Sequence, residues 1–202
     1  LLTLARAGDM PPAPPEAVPL ASFLVEVAQR YAAARVSVRV SEVPVAEATA
    51  GEVTAGTAAK GGVAGSEVTA AAVTGAPGGL TAYLPRGDLV RAVTNLVDNA
   101  VRHARSEVVL SAGSVCAESG AGSQVEIVVS DDGHGIPESD RERVFDRFAR
   151  LDEARARDAG GSGLGLAIAR ELVRRAGGDI RLEDAAPGLR AVVSLPTKPV
   201  AR

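Results

Sequence analysis

The stretch RGDLVRAVTNLVDNAVRH, Arg86 to His103, does more than any other to limit how this chain can fold. At about 100° per residue, Val93, Leu96, Val97, Ala100 and the following Ala104 fall on one side of a helix, and Asn95, Asn99, Arg102 and His103 fall on the other. A helix of this length must lay its apolar side on a second layer. The segments around it supply that layer as a sheet. RVSVRVSEV, from Arg35, places Val36, Val38 and Val40 on one face of a strand. EVVLSAG from Glu107, QVEIVVSDD from Gln124, GDIRLED from Gly178 and LRAVVSLP from Leu189 also carry strand patterns. About five strands interrupted by helices predict an α/β sandwich (α+β), a mixed sheet with helices on one face. Helical spacing recurs in ASFLVEVAQRYAAA from Ala21, ESDRERVFDRFARL from Glu138 and LGLAIARELVRRAG from Leu164.

The core of such a unit has to be aliphatic, because aromatics make up only 2% of the 202 residues and tryptophan is absent. A net charge of -3, with basic residues spread along the chain, argues against nucleic acid as a partner. The single cysteine, Cys116, excludes an internal disulfide and a cysteine-based zinc site. No apolar run approaches the 18 residues of a membrane span and no charged-then-apolar leader is present, so the chain as given is expected to be soluble. Residues 1–17 combine a helix end, LLTLARAG, with a linker containing Pro11, Pro12, Pro14 and Pro15; one folded unit is expected over 18–197, followed by a short tail at 198–202. Within that unit, residues 44–80 are rich in Ala, Gly, Thr and Val, with AGEVTA echoed by GSEVTA, and predict a flexible inserted loop.

Three stretches carry chemistry. Asn is a poor helix former, and Asn95 and Asn99 gain nothing from ion pairing four residues apart. Their amide oxygens suit a hard cation such as Mg²⁺ without repelling a triphosphate, and Arg102 and His103 lie one turn further on, within reach of phosphate oxygens. In VVSDDGHGIP, Asp131 stands at a strand end as an acceptor suited to an exocyclic amine. Gly133 and Gly135 beside it let the backbone turn tightly against a flat ligand. In AGGSGLGLAIARELV, Gly160, Gly161, Gly163 and Gly165 open a helix with Ser162 as a cap, an arrangement of amides that cradles phosphate. This is not a P-loop, since the only lysines are Lys60 and Lys198, and the same count removes a serine/threonine kinase. Phe145 and Phe148 sit three apart: one fits a core stripe, and the other is free to brace the polar segment Ala149 to Gly161, placed where a lid would be.

In this order, these stretches resemble the N, G1, F and G2 boxes of the ATP-binding catalytic domain of bacterial sensor histidine kinases, within the gyrase, heat-shock chaperone and mismatch-repair ATPase superfamily. The resemblance covers roughly residues 18–197, and LLTLARAG resembles the end of the dimerisation and phosphoacceptor domain that precedes such a unit. It implies a Bergerat-type fold with ATP between a helical layer and a lid. Asn99 would be the chief Mg²⁺ ligand, assisted by Asn95, with Arg102 and His103 at the phosphates. Asp131 would accept from the adenine amine, with Gly133, Gly135 and Ile136 around the base and Phe148 near the lid. Gly161, Ser162, Gly163, Leu164 and Gly165 would face the phosphates. Where hydrolytic members of the superfamily carry a glutamate four residues before the metal-binding asparagine, this chain has Asn95, which cannot act as a base. Phosphoryl transfer is therefore favoured over hydrolysis.

Two departures from the family pattern stand out: Arg102 and His103 replace the usual Lys and Tyr, and the 44–80 connection is long. The only histidines, His103 and His134, lie inside the ATP-binding boxes, so no phosphoacceptor is expected in this chain. The resemblance further implies the phosphoacceptor and dimerisation domain of the same protein and a response regulator as partners. It implies a homodimer in the full-length kinase, and a cytoplasmic domain of a protein anchored in the cell membrane. An anti-sigma-type or other nucleotide-gated regulatory module is the alternative.

Overall fold

The computed structural model describes residues 13–41, 79–116, 123–149 and 163–198. The expected helix end at 1–8, nearly all of the 44–80 insertion, the lid segment from residue 150, and residues 199–202 of the tail lie outside them. The described elements in chain order are β1 (Glu16–Pro19), α1 (Leu20–Arg30), β2 (Ser37–Val40), β3 (Thr81–Leu84), α2 (Arg86–His103), β4 (Glu107–Cys116), β5 (Ser123–Asp131), α3 (Gly165–Arg175), β6 (Asp179–Asp184) and β7 (Leu189–Pro196). The five expected strand segments form one mixed sheet in the order β2-β4-β5-β7-β6. Its β2-β4 pair is parallel and the other pairs are antiparallel. This is the α/β architecture that the alternating patterns predict.

Strand alternation sends every second side chain to one face, and on that face Leu110, Ile127, Ile180, Val193 and Leu195 are fully buried. They meet Phe23, Leu24 and Val27 of α1 and Leu89, Val93, Leu96 and Val97 of α2 in one core. The contacts are many and aliphatic, as the composition requires. Helix α1 is tied to α2 by the Tyr31 hydroxyl, which donates to the Asp98 carboxylate at 2.6 Å. Burial, and then the bond to Asp98, raise the Tyr31 pKa.

Two features differ from the sequence expectation. The segment from Glu138 is not one helix but two short 3-10 turns, Glu138–Asp140 and Arg143–Phe145, after which Asp146 is extended. Tertiary structure overrides the periodicity here, because the chain must turn for the Phe148 amide to donate to the Gly163 carbonyl at 3.0 Å. Phe148 itself adopts a φ of 66°. The second feature is a small ribbon in which β1 pairs antiparallel with β3, so residues assigned to the linker, Glu16 and Ala17, belong to a strand. Pro19 ends it and opens α1, whose first amide bonds to the Leu80 carbonyl.

Candidate functional site

The apolar face of α2 is the expected one: Leu89, Ala92, Val93, Leu96, Val97 and Ala100 are buried. The asparagines do not lie on the open solvent side. They occupy the flank that faces α3, while Asp98 takes the exposed side with Tyr31. The Asn95 amide nitrogen donates to the Arg91 carbonyl one turn back at 2.8 Å. That bond turns its oxygen outward, toward Gly165 at the start of α3. A Cβ on Gly165 would stand 3.1 Å from Asn95 Oδ1, so a larger residue would crowd the gap. One turn on, Asn99 enters a pocket shared with Asp131 from the end of β5.

The remaining pocket walls are aliphatic. Leu96 and Ala100 come from α2, Leu166 from α3, Val129 from β5, and Leu182, Leu189 and Ala191 from β6 and β7. The pocket is narrow, with room for about one water molecule. A flat base exceeds this volume, so its entry would require the pocket to widen. Asp131 is only 5% exposed. Burial pushes its pKa up; hydrogen bonds from the Gly133 and Leu189 amides and the nearby His103 imidazole pull it back. The Gly133 amide meets Oδ1 at 2.9 Å. A Cβ on Gly133 would fall 2.5 Å from the His103 carbonyl oxygen and 2.7 Å from Asp131 Oδ1, so only glycine allows the loop to lie this close to the end of α2.

Around this pocket, Gly135 has a φ of 73° and packs against Gly188, and Ile136 is half-buried against the core. Arg102 and His103 end α2, with Arg102 exposed and His103 half-buried. At the other end of the site, Gly163 has a φ of 67° and sits against the Phe148 backbone, and Leu164 and Gly165 lead into α3. Phe145 is buried, whereas Phe148 is 71% exposed. Gly161 and Ser162 lie outside the described residues. A wider groove between the second 3-10 turn and α3 is lined mostly by charged side chains, among them Arg170, which already pairs with Glu142 in the lining and with Asp179 outside it. It lacks the mixture of apolar wall and convergent polar groups that Asn99 and Asp131 give the smaller pocket.

The sequence reading missed Leu166, Leu182, Leu189 and Ala191. Their spacing marks them as inward-facing and they belong to or pack on the core, but nothing local says that they also line the pocket that holds Asn99 and Asp131. The glycine of the β6–β7 turn was the available signal. At Gly188, φ is 108° and a Cβ would fall 1.7 Å from the Asp131 carbonyl oxygen, so this turn seats directly on the strand end that carries the acceptor.

As for a metal, no group of three or more His, Cys, Asp and Glu side chains converges among the described residues. The donors at this site are neutral amide oxygens. The outward Asn95 Oδ1 fits a hard cation that completes its shell with water and phosphate oxygens.

Comparison with known proteins bears on the family and the fold. Over 125 residues, 61% of this chain, the sequence is 39% identical to the sensor-like histidine kinase SenX3 of Mycolicibacterium smegmatis, covering 32% of that protein. It is 38% identical over 121 residues, 59% of this chain and 25% of the relative, to the sensor histidine kinase CpxA of Escherichia coli. The chain thus spans a quarter to a third of the length of these curated relatives. The fold is similar to that in the crystal structure of full-length ShkA in complex with AMPPNP, with a TM-score of 0.62 at 20% identity, covering 96% of this chain and 33% of that one. Residues 86–199, from the start of α2 to just beyond β7, match the family model described as histidine kinase-, DNA gyrase B-, and HSP90-like ATPase. With the amide-bearing helix, the buried strand-end carboxylate and the glycine-led helix all inside that match, the chain belongs to this ATPase family.

Proposed function

We propose that this chain is the catalytic ATP-binding part of a sensor histidine kinase. The observation that carries the reading is the pocket in which Asn99 of α2 and Asp131 of β5 meet across an aliphatic wall. The slot as it stands is too narrow for a purine, and widening it would set apolar surface against the faces of the base and the buried carboxylate, an acceptor when ionised, at its exocyclic amine. Asp131 is the base acceptor, with Gly133, Gly135 and Ile136 shaping the loop beside it. From there the phosphates run toward the gap between α2 and the start of α3. Amides at Gly163, Leu164 and Gly165, continuing the glycine run through Gly161 and Ser162, face them with the positive end of the α3 dipole. Arg102 and His103 approach from the end of α2. Phe148, whose amide donates to the Gly163 carbonyl, stands at the junction between the described residues on either side of 150–162.

Asn99, assisted by Asn95, would hold Mg²⁺, whose chemistry there would be to neutralise phosphate charge. The chain's own residues then position the γ-phosphoryl group and shield its charge. Asn95 has no proton-accepting group and its amide nitrogen is engaged by Arg91, so it activates no water, which favours transfer over hydrolysis. In the transfer, an imidazole nitrogen of a histidine on the preceding dimerisation domain bonds to the γ-phosphorus. The bond from that phosphorus to the bridging oxygen breaks and ADP leaves. The phosphoryl group then passes to an aspartate of a response regulator. Among the described residues no helix is long and apolar enough to cross a membrane. As the family resemblance implies, the chain is taken as a cytoplasmic domain of a membrane-anchored, homodimeric kinase. The sensor histidine kinases among its relatives favour the kinase reading over a nucleotide-gated regulatory module.

The test is incubation of the chain with radiolabelled Mg-ATP, with and without a protein fragment carrying the acceptor helices. Acid-labile label should appear only on the added fragment. Label on the chain alone, or brisk hydrolysis without acceptor, would refute the proposal.

A further inference from the structure

The C-terminal end of α2 carries Arg102 and His103, and its place relative to Asp131 decides whether phosphate and base can be held together. A helix end leaves its last carbonyls without partners, and the amides of the turn beyond it also need acceptors. Both sets are satisfied from outside the helix. On one side, Arg35, in the connection between α1 and β2, directs Nη2 at the carbonyls of Val101 at 2.8 Å, Arg102 at 3.3 Å and Ala104 at 2.8 Å. Its positive charge lies where the helix dipole favours one.

On the other side, Asp132 follows the base acceptor directly. Its Oδ1 accepts the amides of Arg105 at 2.8 Å, Ser106 at 3.0 Å and Glu107 at 3.2 Å, and its Oδ2 accepts the Ser106 amide and hydroxyl. The hydroxyl and amide of Ser106 hold the Asp132 carboxyl well below the usual carboxylate range, so it stays charged wherever the protein is folded near neutral pH. Neither Arg35 nor Asp132 lines the pocket. Between them, the α2 end is fixed to the α1–β2 connection and to the end of β5, while Gly133 lies against the His103 carbonyl with no space to spare.

We propose that Arg35 and Asp132 are positioning residues of the nucleotide site, a two-sided clamp that sets Arg102 and His103 against Asp131 without touching the ligand. The inference rests on the nucleotide reading above. It differs from a general stabilising role in one respect: loosening the clamp should weaken nucleotide binding in protein that is still folded.

The experiment titrates a fluorescent ATP analogue, with Mg²⁺, into the wild-type chain and into Arg35→Ala, Asp132→Ala, Asp132→Asn and the double alanine variant. Each is measured at a temperature where its melt shows it folded. Each alanine variant should raise Kd about tenfold or more, since small misplacements of binding groups are costly. Asp132→Asn keeps one acceptor oxygen for the turn amides and should recover most of that loss. Because both residues hold one helix end, the loss in the double variant should be smaller than the product of the single losses. If Asp132→Ala does not fold, Asp132→Asn and Arg35→Lys carry the comparison, each expected to bind more weakly than wild type. Unchanged Kd in folded variants, or losses that simply multiply, would overturn the clamp while leaving the nucleotide site intact. A wild-type chain that binds no nucleotide would refute the site itself and the clamp with it.

Discussion

Replacing Asp131 by asparagine separates base recognition from folding. The carboxylate is buried and already accepts the Gly133 amide on Oδ1, with the Leu189 amide also bonded to it. Asparagine keeps the shape but must turn an NH₂ somewhere. Turned toward Gly133, it would set donor against donor in a loop that cannot retreat, because Gly133 already presses on the His103 carbonyl. The amide oxygen should therefore keep the Gly133 bond, leaving the NH₂ on the other side of the group. There it meets a base amine with a second donor, an unmatched buried contact costing about 1–3 kcal/mol, or roughly 5- to 150-fold in Kd. GTP presents a carbonyl in place of that amine and should lose less, or gain. Isothermal titration of wild type and variant with Mg-ATP and Mg-GTP, beside a thermal melt, measures both effects. Equal losses for the two nucleotides would show that Asp131 is structural and that the base lies elsewhere.

Two further outcomes follow from the geometry. Gly188→Ala puts a Cβ into the Asp131 carbonyl at a φ of 108°, and should cost at least about 2 kcal/mol, lower Tm by about 5 °C or more and weaken ATP binding; a wild-type melt would contradict the close packing. Burial opposes ionisation of Asp179, but Arg170 and Arg174 outweigh it and bring its pKa down to about 2. The stability this pairing contributes is present above the unfolded value of 3.8 and is lost as pH falls toward 2. In urea unfolding at pH 5 and pH 2.5, the gap between wild type and Asp179→Asn should shrink at the lower pH, and a constant gap would sink the assignment.

Local sequence determined most of the elements. The apolar spacing of Val93, Leu96, Val97 and Ala100 marked α2, and alternating aliphatic residues marked the five strands of the sheet, because both patterns report which side of the backbone must leave water. Asn95 and Asn99 stood out for the same reason: they break the composition expected of a helix flank. Tertiary structure decided the rest. The residues from Glu138 carry helical spacing, yet a bond between Phe148 and Gly163 across the lid segment turns them into two short 3-10 turns. Glu16 and Ala17 read as linker until Thr81–Leu84 pairs with Glu16–Pro19, more than sixty residues later. Leu182 and Leu189 look like core until β6 and β7 bring them beside Asp131. Arg35 and Asp132 are ordinary charged residues in sequence. Their roles exist only once the end of α2 is placed between them, since hydrogen-bond partners so far apart along the chain leave no periodic mark on it.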